Sequence, residues 1–547
     1  MPSTIKLPIL GPGVDGRSRA ITAQVRQNIF LEVKKEQDKS ALVAYGTPGL
    51  RLFTDFGANP SRGMWWFQAR NVLYVVANNQ LVEIRGDGVS TGRGTLLTNT
   101  GTVSMSDNGQ QLMIVDGPNG YIFQPETAAL AYSRIGTLVT VTEPLTDRVS
   151  GDVVTIDGDA NILAGNYTIT VTGANSWTFN TVASGSASGT IKVVNNFRNI
   201  TSASTGVDFP GANTVVFLDS YFIINNPGTK QFWLSGQYNG LYWDPLQYAS
   251  KEAYTDDLQA VTVDNGNLVL LGAISQEYWQ NDGGFPFPLS RIAGSPTDIG
   301  LAARWSTARC GGQLFYLGRT RRGGLSVVKI QNYQPVVVST TDLDYLFSQY
   351  SNPGDAIAFS YRQNGHEFYQ ISFQQEGVTW LYDDTTEVWS KLQSGHDTRH
   401  YSNRCTQFIN QEIAADYRNG KLYYLDPEHY TDNGEEIARE LITPHFFAAD
   451  SFNKLHIYRL RLDMEQGIGL VDGQGSNPQI MLQVSRDGGF TYGNEMWTSF
   501  GRMGEYNKRA EWRRLGVSRN FVFKFRITDP VKVIFIAAAA MATQADK

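Results

Sequence analysis

Cysteine is nearly absent: Cys310 and Cys405 are the only two in 547 residues. That is too few for a disulfide framework or a structural zinc site, and it suits a reducing compartment. Histidine is also scarce, with six copies. His396 and His400, in GHDTRHY, have the i, i+4 spacing of a metal pair only on a helix. Gly395 and Asp397 mark a loop there rather than a helix, so no metal or cofactor is expected. His366, His429, His445 and His456 are dispersed, and no Ser/His/Asp order can be defended. Long apolar runs are missing too. The longest, Val533 to Thr543, is too short to span a bilayer, so no membrane segment is expected. The opening MPSTIKLPILGPGVDGRSRA is broken by Pro and Gly, unlike a secretory signal. Charge is sparse at 18% and the net charge is −6, without the basic excess that whole-surface DNA binding requires.

What is abundant points to sheet. Hydrophobic residues reach 41% and aromatics 12%, with 54 Gly against 20 Pro. That balance favours strands and tight turns over disorder. Helical patterning is confined to LDYLFSQY (343–350) and NGEEIARELI (433–442).

The chain repeats. NVLYVVANNQLVEI, QQLMIVDGPNGYIF, DSYFIINNPGTKQFWL, GNLVLLGAISQEYW, GQLFYLGRTRRGGLSVVKI, GHEFYQISFQQEGVTWLYD and NGKLYYLD share a Gly/Asn turn, an apolar strand and a polar turn. Most add a second strand. Anchored on Leu73, Leu112, Phe222, Leu268, Phe315, Phe368 and Tyr423, the steps are 39, 110, 46, 47, 53 and 55. Blades of a β-propeller occupy about 40–50 residues each, so the expectation is an all-β propeller of six to eight blades, with seven the best count. A row of separate β-sandwiches would show turns without this phase. The long step coincides with the Ser/Thr/Gly/Asn-rich stretch 142–194, read as a small inserted β domain. The expected organisation is residues 1–135 as N-terminal segment and first blades, 136–200 as the insert, and 201–547 as the remaining blades and closing strands.

Four motifs compete for a functional role. SRDGGFTY (485–492) is an Asp-box, the turn found in sialidases. Ser485, Asp487, Gly489 and Thr491 supply a carboxylate for backbone N–H groups and a glycine for positive φ, and Thr491 and Tyr492 are expected to open an inward-packing strand. Nothing in that arrangement reacts with substrate, and no arginine cluster or carboxylate pair can be identified, so no catalytic residue is assigned. A carbohydrate-binding or sialidase-like glycosidase propeller is the alternative reading. GDGVSTGRG (86–94) lacks the Lys-Ser/Thr ending of a phosphate loop and reads as a turn connecting two blades. Two basic tracts stand out. Arg304, Arg309, Arg319, Arg321 and Arg322, with Lys329, lie in a stretch free of acids. Residues 499–530 carry eight Lys or Arg against three acids, among them Arg502, Lys508, Arg509, Arg513, Arg514 and Arg519. Both fit solvated strand faces or a docking surface for an acidic partner.

QVRQNIFLEV (24–33) with YGTPGLRLF (45–53), and PQIMLQVSRDGGFTYGNEMWTSFGRMGEYNKRAEWRRLG with FKFRITDPVKV, resemble the tail hub or nozzle proteins of short-tailed phages, also called packaged-DNA stabilisation proteins. The resemblance covers most of the chain. It implies a virion protein, made in the host cytoplasm, that forms a homohexameric ring below portal and adaptor. Such a ring continues the channel for double-stranded DNA, helps retain the genome and anchors fibres or spikes. It implies no enzyme and brings no catalytic residues, so the Asp-box is expected to be borrowed turn architecture.

Overall fold

The computed structural model describes residues 3–11, 13–14, 16–34, 41–144, 148–200, 209–448 and 453–545. Residues 1–2, 145–147 and 201–208, part of the expected segments, lie outside the described residues. The chain is all-β, a β-propeller with a β-sandwich domain, and it divides into two compact units. One holds residues 1–57, 302–318 and 323–547, and the other residues 58–301 and 319–322.

The second unit contains four successive antiparallel sheets of the propeller. Their strands run Ser61–Phe67 to Ser90–Thr95, Ser104–Asp107 to Gly120–Glu126 with Val193–Asn199, Val215–Leu218 to Asn239–Ser250, and Leu258–Asp264 to Leu289–Arg291. Local sequence explains the hairpins. Asn265 and Gly266 both have positive φ, 47° and 75°, as a two-residue turn matched to strand twist requires. GDGVSTGRG does not connect blades. Its first half is the hairpin turn inside the first blade and its second half is the strand Ser90–Thr95, where Arg93 makes two 2.9 Å bonds to Glu83.

Between Glu126 and Val193 lies the inserted module. Leu130–Ile135, Leu138–Thr142, Thr170–Gly173, Ser176–Asn180 and Ala187–Ile191 form one sheet, while Val153–Ile156 and Gly165–Thr168 extend the second blade through Val193–Asn199. The fully buried Trp177 anchors its own core with Val139, Val141 and Phe179. The expected boundary at 136 falls in the turn of its first hairpin, because LAYSRI alternates as the blades do. Residues 193–199 belong to the blade.

The first unit contains three further propeller sheets: Ala308–Cys310 to Gln334–Val337, Ile357–Gln363 to Val388–Leu392, and Ser402–Phe408 to Lys421–Asp426. With the four above, seven blade sheets follow one another along the chain among the described residues. The last takes its fourth strand from Gly49–Asp55, which pairs antiparallel with Lys421–Asp426. A recurrent device stiffens five blades of the two units. A buried carboxylate accepts a bond from a buried ring: Tyr74 to Glu83 at 3.0 Å, Tyr121 to Asp116 at 2.7 Å, Tyr278 to Asp264 at 3.2 Å and Tyr423 to Asp416 at 2.9 Å, with His366 and Asp383 2.7 Å apart. Each ring fills the core with its body while its polar end satisfies an acid that would be costly to bury alone.

The helix Thr341–Gln349 forms where the pattern places it. Thr340 Oγ1 accepts from Leu343 N at 3.3 Å, and Leu343 and Phe347 are the buried i, i+4 pair. NGEEIARELI is not a helix. It makes the short strands Glu435–Glu436 and Arg439–Ile442, because Arg439–Ile442 is held by ladders to Asn520–Ile527 and Val25–Gln27.

Residues 438–543 do not supply closing strands for the propeller, as the pattern suggests. They build the sandwich. One sheet comprises Ser3–Leu7, Ile29–Val33, Leu42–Gly46, Ile534–Ala545, Lys454–Met464 and Ala510–Ser518. The other comprises Val25–Gln27, Arg439–Ile442, Asn520–Ile527, Gln479–Ser485 and Met496–Ser499. Ile457, Leu460, Leu482, Phe523, Phe525 and Phe535 fill the space between them. Val25–Gln27 also continues the sixth blade, since Gln27 pairs in parallel with Lys391. The join is buried and polar. Arg26 donates to Gly11 O and, at 2.8 Å, to Trp389 O, and burial lowers its pKa to about 10.

Candidate partner-docking surface

The sandwich carries a basic trough on its outer face, and strand alternation creates it. In Lys454–Met464 the side chains of Leu455, Ile457, Leu460, Leu462 and Met464 are buried, while Arg459, Arg461 and Asp463 lie on the opposite face. A register shift between Ile457 and Arg459 keeps both sets in phase on either side of a bulge. The neighbouring strand Ile534–Ala545 puts Ala537, Ala539 and Met541 between those residues and Thr4 and Lys6 of Ser3–Leu7. Small side chains make a low floor and long cations rise on both sides. The resulting depression has a volume of about 400 Å³ and is also lined by Arg509.

One carboxylate organises the cations. Glu511 accepts from Arg461 Nε at 2.7 Å and Arg513 Nε at 2.8 Å, with Arg459 Nε 3.3 Å away. Hydrogen bonds from Arg461 and Arg513 hold its carboxyl below the ordinary range. Five cations, Lys6, Arg459, Arg461, Arg509 and Arg513, therefore meet two carboxylates, Asp463 and Glu511. The excess is positive and exposed, as a surface for an anionic partner requires.

The structure brings only part of the expected tract to this place. Arg509 lines the trough, and Arg513 joins it through Glu511, which Arg461 also holds. Arg502 and Lys508 are exposed on the segment between Phe500 and Ala510, where Arg502 N donates to Glu505 at 3.0 Å. Arg514 has a φ of 59°, and Arg519 lies in the turn at the far end of Ala510–Ser518. Lys6, Arg459 and Arg461 were not singled out by sequence. The signal for the last two was the alternation in YRLRLDM, where arginine recurs every second residue.

The other tract is divided between the two units. Arg319, Arg321 and Arg322 belong to the unit of residues 58–301, whereas Arg304 and Arg309 belong to the other. Lys329 is buried against Asp384 at 2.8 Å. Arg321 lies over the Tyr254 ring, and burial lowers the pKa of Arg304.

The Asp-box is a sandwich turn. Asp487 accepts from Phe490 N at 3.1 Å, Thr491 N at 2.9 Å and Thr491 Oγ1 at 2.5 Å, while Ser485 Oγ accepts from Gly489 N at 2.8 Å. Gly488 and Gly489 have φ of 75° and 92°. The returning strand begins at Met496, and Thr491 is exposed rather than packed inward, because Asp487 ties Thr491 into the turn itself. The Thr491 bonds hold the Asp487 carboxyl down to about 2. A depressed carboxylate stabilises the fold above its unfolded pKa of about 4, and that contribution fades as pH falls toward 2. Asp487→Ala should therefore lower the stability at pH 7, by about 1 kcal/mol once solvent screening at this exposed turn is allowed for, and the gap to the parent should narrow between pH 5 and 2. His400 is likewise structural. It is buried with Nδ1 2.5 Å from Ser402 Oγ, and burial lowers its pKa to about 4.

The profile described as bacteriophage P22 Gp10, beta-propeller, matches residues 6–430, and that described as bacteriophage P22 Gp10, beta-sandwich, matches residues 438–543. The chain belongs to the bacteriophage P22 Gp10 family. It is a structural phage tail protein, and its place is the virion. Among curated proteins, none matches. Solved structures similar to it include the designed protein Ika8 (11% identity, 69% of this chain and 100% of that one, TM-score 0.34). Others are the N-terminal domain of Nup159 (8%, 74% and 99%, 0.33) and YCF48 from Cyanidioschyzon merolae (10%, 70% and 97%, 0.26). For this P22 Gp10 family member, the boundary between the two profiles falls just before Arg439–Ile442, the sandwich strand that follows the last propeller sheet.

Proposed function

We propose that this chain is the nozzle of a short tail: a closed ring of six copies that continues the DNA channel below the portal and adaptor. The ring helps retain packaged genome, anchors fibres or spikes, and lets DNA leave when the particle meets its host. Synthesis takes place in the host cytoplasm. The observation that carries the reading is the match of both family profiles, which together span nearly the whole chain. The basic trough supports it. A ring made by rotation needs two different complementary patches on each copy, and a chain of net charge −6 with a cationic face on its sandwich has the material for an acidic-to-basic contact, between copies or with the adaptor. Passage of DNA asks for a channel wall that is acidic or neutral, since deep cationic sites would stall the phosphates.

The role is mechanical. The glycosidase alternative has no support from the trough, because the carboxylate its three arginines hold is the chain's own Glu511.

Mass and symmetry of the purified assembly, by native mass spectrometry and electron microscopy, test the ring; a monomer at all concentrations would overturn it. Arg459→Glu with Arg461→Glu should weaken association with the acidic partner by roughly 100-fold at low salt. Raising salt should weaken the parent complex in the same direction. Unchanged affinity in the double variant would remove the trough from the interface.

A further inference from the structure

A second surface, within the unit of residues 58–301, has different chemistry. Asn239–Ser250 and Leu289–Arg291 are the edge strands of two successive blades, and a cleft of about 290 Å³ opens beside them, lined by Tyr221, Tyr242, Asp244, Gln247 and Phe285 among others. Phe285 is 98% exposed and Tyr242 52% exposed. Exposed apolar side chains gathered around one depression and rimmed by polar groups are a mark of ligand-binding grooves.

The rings are presented by a braced frame. Gln247 Nε2 donates to Pro286 O at 2.8 Å, tying the loop of one blade to the edge strand of the other. Asn281 and Asp282 accept from Gly283 N and Gly284 N, each at 3.0 Å, and so close the turn that holds Phe285 outward. Pro245 follows Asp244 in the edge strand, whose pairing with Gln231–Gly236 shifts register twice. Such irregularities re-aim side chains at a sheet edge. Across the same two strands, Trp233 and Tyr248 stack at 5.5 Å. Little conformational freedom then has to be lost on binding.

We propose that this cleft is a binding subsite for one or two rings of a neutral carbohydrate. Flat aromatic faces suit the C–H faces of a sugar ring, and a carboxylate, an amide and a phenol at the margin suit its hydroxyls, the mixture of apolar wall and few placed polar groups that defines small-ligand sites. The volume admits a short saccharide and no more. Asp244 lines the cleft and, among the described residues, no Lys or Arg does, which disfavours phosphates and acidic sugars and separates this subsite from sialidase chemistry. The inference goes beyond the nozzle reading and does not depend on it.

The test uses the full chain and neutral gluco-, galacto- and manno-oligosaccharides of two to four units, followed by saturation-transfer NMR and calorimetry. The expected result is millimolar binding of at least one series, no binding of sialyllactose, and a loss of roughly tenfold or more in Phe285→Ala and in Tyr242→Ala, with Phe285→Tyr retaining most of the affinity. Both rings are exposed, so these variants keep the fold, which their unfolding curves would verify. Absence of binding by every neutral series at about 10 mM, or binding indifferent to both alanine variants, would overturn the assignment. So would a change in assembly mass in Phe285→Ala, which would make the ring a contact between copies. Assembly mass of the parent chain is read separately, so failure of the nozzle reading stays distinguishable.

Discussion

Gly49→Ala should lower the free energy of unfolding by about 3 kcal/mol, the upper end of what overpacking costs. A β-carbon at that position would stand 2.6 Å from Thr431 O and closer still to His429 O. Both are backbone atoms of the segment that pairs in parallel with the strand at Asp432, and Gly49 N itself donates to His429 O at 2.9 Å, so neither side can retreat without breaking a bond. The strand Gly49–Asp55 is the fourth of the last blade, some 370 residues from its partner in sequence, and its misplacement unseats Leu50, which is fully buried. Denaturant unfolding followed by tryptophan fluorescence measures the effect. Gly92→Ala is the control, since nothing lies within 4 Å of its added carbon, and it should change stability by less than about 0.5 kcal/mol. Equal midpoints for the two variants would refute this account of closure.

Asn28→Ala should cost a similar amount, about 3 kcal/mol, at the join between propeller and sandwich. Asn28 Nδ2 donates to Gln393 O and Ala438 O, each at 2.9 Å, and its Oδ1 accepts from Gln393 N at 2.9 Å. Truncation leaves those groups without their partner in a buried place, where each missing bond is expensive. The backbone adds a second cost, because φ is 55°, a conformation asparagine tolerates and alanine does not. Asn28→Gly separates the two terms: it should relieve the backbone strain and keep the hydrogen-bond loss. Proteolytic release of a fragment containing residues 438–545 reads the same join independently. If Asn28→Ala and the parent resist protease alike, the side chain is not what couples the domains.

The propeller was legible because each blade is local. Its hairpins close within a few residues of Asn265-Gly266 or Asn364-Gly365, so apolar runs and turns recur at similar steps, the insert apart. The sandwich was hidden for the opposite reason. Ser3–Leu7 and Leu42–Gly46 pair with Ile534–Ala545, and no local pattern announces a partner at the other end of the chain. The same force defeated the helical reading of NGEEIARELI, whose Leu441 is buried between two ladders. The docking surface was half visible. The charge excess around Arg509 and Arg513 stands in sequence, but Lys6, Arg459 and Arg461 reach it only through pairing of strands from both chain ends. The aromatic cleft had no sequence signal beyond the general richness in Tyr and Phe, since Phe285 and Tyr242 meet across two blades.

The strand Val25–Gln27 is hydrogen-bonded to Lys391 on one side and to Arg439–Ile442 on the other, so a single ribbon of peptide groups runs from the sixth blade into the sandwich. Tension on the sandwich along the strand direction would load these bonds together in shear instead of opening them one after another. Asn28 then works as a rivet, and an object tugging on the C-terminal domain would pull against the sixth blade itself rather than on a slack tether.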